Sequence, residues 1–347
     1  MTERIVYHQL DRLNYSIISM HHGAQEQRFH SLSFDHFRGT LFVVDTCTAQ
    51  LQVYSADDGR LLHRFGSRTV RRNHLGHYVA IDHNRERIFL IDSRSFSIRP
   101  FSLQSLHMLT NECRKANGIT FGNSRGVTVD RDPRRRRTFI CDTKEHRLLG
   151  LSSIDGSLLF KIGNHGSRAS EFEYPAGVAL DQVRDRIAVV DSGNHRVQVF
   201  SSIDGSFLFS FGSRGEEAGQ FKAPQGVCID NHSRIIVADT VNERLQAFTP
   251  EGHHISSYYS LCGEVWAVAF DEHRGIIAFS TLNQIHAIGA NRWLAGTSFM
   301  WSVAQHHDAP EHTKQAVVTV TMIRSLCYES ALSLLPNELL FELFSFL

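Results

Sequence analysis

Short apolar runs separated by turn-forming residues make up most of the chain. The runs are about four to six residues long and rich in Val, Ile, Leu and Phe, and Gly, Asp, Ser and Asn cluster between them. This alternation is typical of β-hairpins. Residues 41–44 contain no polar position, which predicts an inner strand packed on both faces. The pattern therefore predicts an all-β fold up to about residue 294.

One sequence pattern recurs within this region. Its clearest copies, residues 174–212 and 223–259, share Pro-x-Gly-Val-x-x-Asp, an apolar strand, Asp-[Ser/Thr]-x-Asn-x-Arg and a second apolar strand. Weaker copies keep the frame, with roughly 41 to 51 residues between successive first aspartates. The first aspartates are Asp35, Asp82, Asp130, Asp181, Asp230 and Asp271. The second aspartates are Asp45, Asp92, Asp142, Asp191 and Asp239, with Ser280 in the sixth copy.

A four-stranded unit of this length repeated six times predicts a six-bladed β-propeller over residues 1–294. The sixth copy fades after Ile288, and residues 4–20 look like the second half of a repeat. We expect residues 4–20 to complete the last blade, because this would remove an exposed sheet edge. The repeated Gly177 and Gly226 mark positions that need a positive φ or a close backbone approach.

The second aspartate opens a tight turn. Asp and Ser or Thr side chains in such a turn can accept backbone N–H groups and hold the hairpin closed. Because the same residue types recur once in each copy, we predict that they are structural. The set comprises Asp45, Asp92, Asp142, Asp191, Asn194, Arg196, Asp239, Asn242 and Arg244.

With these motifs the chain resembles the NHL-repeat family over roughly residues 4–290. The two clear copies carry the resemblance, whereas the second copy departs from it at Tyr78, Ser95 and Ser97, which replace Gly, Asn and Arg. The resemblance implies a six-bladed propeller that binds protein or RNA, often beside ubiquitin-ligase modules. No RING finger, B-box or coiled coil accompanies the repeats, so the tripartite-motif ligases are not indicated.

Some propellers that resemble this family are enzymes. The amidating lyases need metal-binding histidines and an oxidising compartment, and lactonase-like propellers need clustered carboxylates around a central metal. The aspartates here belong to a turn formula repeated once in each blade, which favours a structural role. The sequence therefore predicts no enzyme activity, no catalytic residue, no cofactor and no metal, and a propeller hydrolase or lyase is the alternative.

The C-terminal part differs from the repeats. Residues 295–313 are polar and irregular and are predicted to be a linker, and residues 314–347 are predicted to be a helical tail. The last stretch has Pro at a helix start and an apolar stripe, so it resembles the first helix of an F-box. This helix either docks on the propeller or begins an adaptor-binding motif. The candidate adaptor-binding residues are Leu335, Pro336, Leu339, Leu340, Leu343 and Phe344.

Charge changes this picture only locally. The chain has 36 basic and 36 acidic side chains, so its net charge indicates neither nucleic acid nor a membrane surface as a partner. Two arginine clusters are nevertheless candidates for binding RNA phosphates or other anions, and the alternative is that they are solvated turns. The clusters are Arg71 and Arg72, and Arg134, Arg135, Arg136 and Arg137.

The remaining composition bears on location and function class. The six cysteines are scattered without a C-x-x-C motif, and no apolar run has signal-peptide or membrane-spanning length, which predicts a reduced, cytoplasmic protein with no membrane partner. Our first hypothesis is a non-catalytic scaffold that presents a propeller face to a protein partner, with a ubiquitin-ligase adaptor bound by the tail. The alternative is a propeller that binds single-stranded RNA through the arginine clusters.

Overall fold

The structure, a computed structural model, divides the chain into two units, Met1–Thr297 and Ser298–Leu347. It describes residues 6–10, 15–19, 29–45, 50–65, 78–92, 97–103, 123–260, 262–282 and 284–294. All of these residues lie in the first unit. The predicted linker and the predicted helical tail therefore lie outside the described residues.

The first half of the described chain forms a two-stranded ribbon and two larger antiparallel sheets. The ribbon comprises β1 (Val6–Leu10) and β2 (Tyr15–Ser19). Sheet 1 comprises β3 (Phe29–Asp35), β4 (Thr40–Asp45), β5 (Gln50–Ser55) and β6 (Leu61–Phe65). Sheet 2 comprises β7 (Tyr78–Asp82), β8 (Arg87–Asp92) and β9 (Ser97–Ser102), with a 3-10 turn at His83–Arg85.

Four further sheets follow in the same up-and-down order. Sheet 3 comprises β10 (Val127–Val129), β11 (Arg137–Asp142), β12 (Arg147–Ser152) and β13 (Leu158–Ile162). Sheet 4 comprises β14 (Pro175–Asp181), β15 (Arg186–Asp191), β16 (Arg196–Ser201) and β17 (Phe207–Phe211). Sheet 5 comprises β18 (Val227–Ile229), β19 (Ile235–Asp239), β20 (Arg244–Phe248) and β21 (His254–Tyr259), with a 3-10 turn at Thr240–Asn242. Sheet 6 comprises β22 (Val268–Asp271), β23 (Ile276–Ser280) and β24 (Ile285–Gly289), and α1 (Ala290–Leu294) follows it.

This arrangement is an all-β propeller, as the repeat predicts. The expectation of six four-stranded blades is confirmed only in part, since sheets 1, 3, 4 and 5 have four strands and sheets 2 and 6 have three among the described residues. The ribbon is a separate two-stranded sheet rather than a hydrogen-bonded part of sheet 6, although β2 lies against β24. Residues 4–20 were predicted to complete the last blade. Among the described residues, β2 contacts β24, but no β-ladder of hydrogen bonds joins the two strands.

The apolar runs become strands because each sheet packs against a neighbour on both faces. On β15, Ile187 and Val189 pack with residues of sheet 3, whereas Ala188 and Val190 pack with residues of sheet 5. A strand alternates its side chains between two faces, so both faces must be apolar when both are covered. Residues 41–44 of β4 are buried in the same way, as predicted. Each such buried Val or Ile stabilises the fold by about 1.5–3 kcal/mol.

Contacts also join the last sheet to the first. Phe29 of β3 shares a core cluster with Ala278 and Ile285 of sheet 6. The hydroxyl of Ser280 donates a hydrogen bond to the carbonyl oxygen of Phe29 at 2.7 Å. The succession of sheets therefore returns on itself.

The helical content of the described residues is small. Helix α1 has five residues, and none of the described helices is long and apolar enough to span a membrane. The predicted adaptor-binding residues fall on residues 335–344, outside the described part of the chain.

Candidate functional site

The second aspartate of the clearest repeat is buried at the end of β15. Its carboxylate oxygens accept hydrogen bonds from the backbone N–H of Glu173 at 2.7 Å and from the side chains of Asn194 at 2.9 Å, Arg196 at 2.8 Å and Gln198 at 3.1 Å. Asp191 is therefore the centre of a four-donor cluster, which satisfies a carboxylate that is buried from water.

Sheet 5 repeats this cluster almost atom for atom. Asp239 accepts from the backbone N–H of Lys222 at 2.8 Å and from the side chains of Asn242 at 2.8 Å, Arg244 at 2.8 Å and Gln246 at 3.0 Å. Both Asp239 and Arg244 are almost fully buried. We call each such set of aspartate, asparagine, arginine and glutamine a repeat cluster.

Each repeat cluster holds the loop that enters its sheet from the preceding one. Arg196 donates to the carbonyl oxygens of Arg168 at 2.7 Å and Glu171 at 3.0 Å, and Gln198 donates to Glu171 at 2.6 Å. These carbonyls lie in residues 163–174, between β13 and β14. The sequence predicted that the residues close their own hairpin, but the structure shows that they also tie one sheet to the next.

The weaker repeats keep parts of the cluster. Asp142 is buried and accepts from Nε of Arg147 at 2.8 Å, and Asp45 is buried at the same position. Asp92 ends β8, and its side chain lies outside the description. In sheet 6, the hydroxyl of Ser280 takes the place of the carboxylate and accepts from the backbone N–H of Ala267 at 3.1 Å.

The repeated glycine is needed for a close approach between innermost strands. A Cβ added at Gly177 would lie 2.5 Å from the carbonyl oxygen of Gln225, and one at Gly126 would lie 2.4 Å from that of Ala176. The backbone N–H of Gly126 donates to the same carbonyl of Ala176 at 2.9 Å. Any side chain at these positions would push neighbouring sheets apart.

A channel runs between the innermost strands. Its wall is formed by one strand from each of the six sheets, namely β3, β7, β10, β14, β18 and β22. The end at which these strands begin is narrow, with a cavity of about 70 Å³ beside the repeated glycines. The end at which they finish opens into a cavity of about 330 Å³, which we call the wide mouth.

The first aspartates cap the turns around the wide mouth. Asp181 accepts from the backbone N–H groups of Val183 at 3.1 Å and Arg184 at 3.2 Å, and Asp271 accepts from His273 at 3.0 Å. Such turns fix the residue that follows each aspartate. All six first aspartates are buried, and two of them, Asp181 and Asp230, also line the wide mouth.

The residue after each first aspartate lines the wide mouth. One such residue comes from each sheet, and the six belong to five residue types that differ in charge and hydrogen-bonding capacity. They are His36, His83, Arg131, Gln182, Asn231 and Glu272. We call these six residues the mouth ring. It was not predicted from the sequence, because a repeat template retains only the positions that stay constant. The constant aspartate before each member was the signal that could have located it.

An ion pair crosses the wide mouth. Arg131 of sheet 3 donates to a carboxylate oxygen of Glu272 in sheet 6 at 2.8 Å, and its other terminal nitrogen lies 2.6 Å from Nε2 of His36. Because a guanidinium only donates, Nε2 of His36 must accept, which places the ring proton on Nδ1, 3.3 Å from Asp271. Burial raises the pKa of Glu272, but the charge and hydrogen bond of Arg131 oppose this effect, and the pKa lies below its usual value.

His83 completes this side of the wide mouth. Its ring lies 5.7 Å from that of His36, and Nδ1 is 3.5 Å from the carboxylate of Asp35. Burial and the nearby charge of Arg131 lower the pKa of His83 to about 4. The side chain is therefore neutral at physiological pH, when it can offer one ring N–H and one acceptor nitrogen.

Arginine residues 134–137 follow in the β10–β11 turn beside the wide mouth, and most of them have internal partners. Arg137 is buried, and its Nε donates to Asp130 at 2.9 Å. Arg135 pairs with Asp185, and Arg136 donates to a turn carbonyl at 2.7 Å. Arg134, with 90% of its side chain accessible, lies 3.5 Å from the carboxylate of Asp132.

The turn therefore does not present four available guanidinium groups to one phosphate chain. Each of the four guanidinium groups has a partner within the propeller. Arg71 and Arg72 lie outside the described residues. Among the described residues, no group of three or more His, Cys, Asp or Glu side chains is arranged to hold a metal ion.

Comparison with known families gives one match. Residues 172–200 match the model described as NHL repeat. They extend from the loop before β14 to the penultimate residue of β16. This segment is an NHL repeat, and it lies in a β-propeller. The match covers the repeat cluster around Asp191, including Asn194, Arg196 and Gln198. No curated protein matches the sequence.

Several solved structures share the fold of this chain. A structure described as a gluconolactonase from Xanthomonas campestris is 14% identical, with a TM-score of 0.60, 82% of this chain covered and 94% of that chain. A nidogen/laminin complex gives 16% identity, a TM-score of 0.54 and coverages of 70% and 86%. A streptogramin B lyase gives 11% identity, a TM-score of 0.55 and coverages of 80% and 98%. At these identities the likeness shows the fold alone.

Proposed function

We propose that this propeller is a non-catalytic binding scaffold, and that its partner is a protein bound at the wide mouth. The observation that carries the proposal is that constant and variable residues of each repeat have different positions. Repeated residues such as Asp191 and Gly177 are used in contacts between sheets, whereas the mouth ring lines the wide mouth with five types of side chain. Varied side chains around an opening, supported by a constant frame, are the arrangement that rigid scaffolds use for recognition.

The face around the wide mouth also exposes apolar side chains. Phe37 and Val183, in the first turns of sheets 1 and 4, are 75% and 77% exposed. Ile154 and Ile203 are exposed at matching turns between the third and fourth strands of sheets 3 and 4. Apolar side chains around a polar centre favour a protein partner over a nucleic acid, whose backbone requires many basic contacts.

We further propose that the ring has six blades. Support comes from the six sheets whose innermost strands line one channel, from the core shared by sheets 6 and 1, and from the position of β2 against β24. The ribbon would then shield the outer edge of sheet 6. The ubiquitin-ligase adaptor and the cytoplasmic location stay predictions from the sequence.

Site-specific photo-crosslinking tests the binding face. With p-benzoylphenylalanine in place of Phe37, we expect a covalent protein adduct in cell lysate that survives ribonuclease, because the side chain projects beside the mouth ring. The matched control carries the same group in place of Tyr174, which is 53% exposed at the opposite face. Mass-shifted bands on a denaturing gel report the adduct. Adducts formed only from position 174, or destroyed by ribonuclease, would contradict the proposal.

A further inference from the structure

Two histidines on the face opposite the wide mouth accept hydrogen bonds from the backbone. Nδ1 of His146 lies 3.1 Å from the backbone nitrogen of Tyr174, and Nδ1 of His195 lies 3.0 Å from that of Ala223. Each histidine directly precedes the arginine of the repeated motif, and each partner directly precedes its proline. The same contact therefore joins sheet 3 to the loop that enters sheet 4, and sheet 4 to the loop that enters sheet 5.

The residues that donate these bonds have unusual backbone conformations. Tyr174 has a φ of 50° and Ala223 a φ of 45°, in the left-handed region that residues with a Cβ rarely adopt. Such a conformation costs free energy and persists only where neighbouring contacts enforce it. The bond to the histidine is one of these contacts, because the N–H that it fixes belongs to the strained residue itself.

Each bond requires a neutral imidazole. A backbone N–H can only donate, so Nδ1 must be the unprotonated ring nitrogen, and Nε2 carries the ring proton. Protonation of the ring would place a second hydrogen between the two nitrogens and abolish the acceptor. The contact is thus compatible with only one of the two charge states that histidine adopts near neutral pH.

We propose that His146 and His195 form an acid-sensitive latch, which holds the ends of two interblade loops at neutral pH and releases them when the imidazoles are protonated. The interblade loops are residues 163–174 and 212–223. One of them enters sheet 4 and the other leaves it, so protonation frees the connections on both sides of this sheet. The latch lies on the face opposite the wide mouth and does not rest on the proposed function.

The groups around His146 favour the neutral ring on balance. Burial lowers the pKa of His146, and the ring of His165, whose centroid is 4.5 Å away in the interblade loop, acts in the same direction when it is charged. The carboxylates of Glu173, Glu145 and Asp191 oppose this effect, and the pKa lies below its usual value.

His195 has similar surroundings. Burial lowers the pKa of His195, and the guanidinium of Arg214 adds to this from the loop that the histidine holds. The carboxylates of Glu173, Asp239 and Asp191 oppose the shift, and the pKa again lies below its usual value. A histidine whose pKa is lowered in the closed loop stabilises that loop fully above about pH 6.5, and progressively less as the pH falls below this value.

Amide hydrogen exchange of the isotope-labelled full chain, followed by NMR and corrected for the intrinsic pH dependence of exchange, tests the latch. Between about pH 7.5 and about pH 5, we expect the protection factors of the Tyr174 and Ala223 amides to fall at least about fivefold, the equivalent of one net hydrogen bond. The amides of Phe172 and Phe221 lie in the same loops but donate to backbone carbonyls at 2.9 and 2.8 Å. Because these acceptors do not titrate, protection of the two phenylalanine amides should change by less than about twofold.

Replacement by asparagine separates acid sensitivity from loss of the contact. His195→Asn places an amide oxygen where Nδ1 lies, suits the left-handed φ of 55° at this position and does not titrate, so Ala223 should stay protected at about pH 5. His195→Leu removes the acceptor and should leave Ala223 poorly protected at both pH values. If either variant does not fold, the ring-nitrogen NMR signals of the natural chain decide, since Nδ1 of His195 should be unprotonated at about pH 7.5.

Three results would overturn the inference. The first is equal protection of Ala223 in the natural chain at the two pH values. The second is a loss of protection in His195→Asn as large as that in the natural chain. The third is a ring proton on Nδ1 of His195 at neutral pH.

Discussion

Replacing Asp239 by alanine is expected to lower the free energy of unfolding by about 3–5 kcal/mol, the usual cost of leaving one member of a buried ion pair alone. Arg244 would keep its charge in a nearly inaccessible position, and Gln246 and the backbone N–H of Lys222 would lose their acceptor. For a domain of this size the melting temperature should fall by roughly 5–10 °C. Circular dichroism during heating measures the change.

Two further variants serve as comparisons for the change in melting temperature. Asp239→Asn keeps an oxygen acceptor but removes the charge, so its melting temperature should lie between those of the natural chain and Asp239→Ala. Asp204→Ala removes an exposed aspartate that accepts hydrogen bonds from Ser206 of its own turn, so it should change the melting temperature by no more than about 1 °C. An Asp239→Ala protein that melts with the natural chain would show that the repeat cluster does not hold sheets 4 and 5 together.

The second large effect concerns the repeated glycine. Gly177→Ala should destabilise the propeller by about 1–3 kcal/mol, because the added Cβ would lie 2.5 Å from the carbonyl oxygen of Gln225 and 3.0 Å from the backbone nitrogen of Val227. Both atoms belong to the neighbouring sheet's backbone, so the clash cannot be relieved by a rotamer change. Urea unfolding followed by tryptophan fluorescence gives the difference.

The matched control for this glycine lies in β24. A Cβ added at Gly289 meets nothing within 4 Å, so Gly289→Ala should be neutral or slightly stabilising. If Gly177→Ala and Gly289→Ala unfold at the same urea concentration, the innermost strands do not approach as closely as the channel geometry requires.

The sequence predicted the strands and turns of the repeated sheets well, because the residues that form them recur in each repeat. The spacing of the second aspartates located the ends of β4, β8, β11, β15 and β19, and the apolar runs located strands packed on both faces. The spacing did not reveal which residues donate hydrogen bonds to Asp191. The N–H of Glu173 comes from an interblade loop, and contacts between segments that far apart leave no mark in a local turn motif.

The functional positions were harder to predict for the opposite reason. The mouth ring varies from one repeat to the next, so aligning the repeats treats it as noise, although the conserved aspartate before each member fixes its place. The arginine run illustrates the same difficulty. Sequence alone does not distinguish Arg134, which is exposed, from Arg137, which is buried against Asp130 because it starts strand β11.

The central claim is that a protein partner binds at the wide mouth, and hydrogen exchange of the purified chain with and without its captured partner tests it most directly. Amides in the turns at residues 36–38, 131–136 and 182–185 should exchange more slowly in the complex, while the loops at 164–173 and 213–222 on the opposite face should be unchanged. Protection of those loops with no change in the turns would contradict the account and place the binding face at the narrow end of the channel.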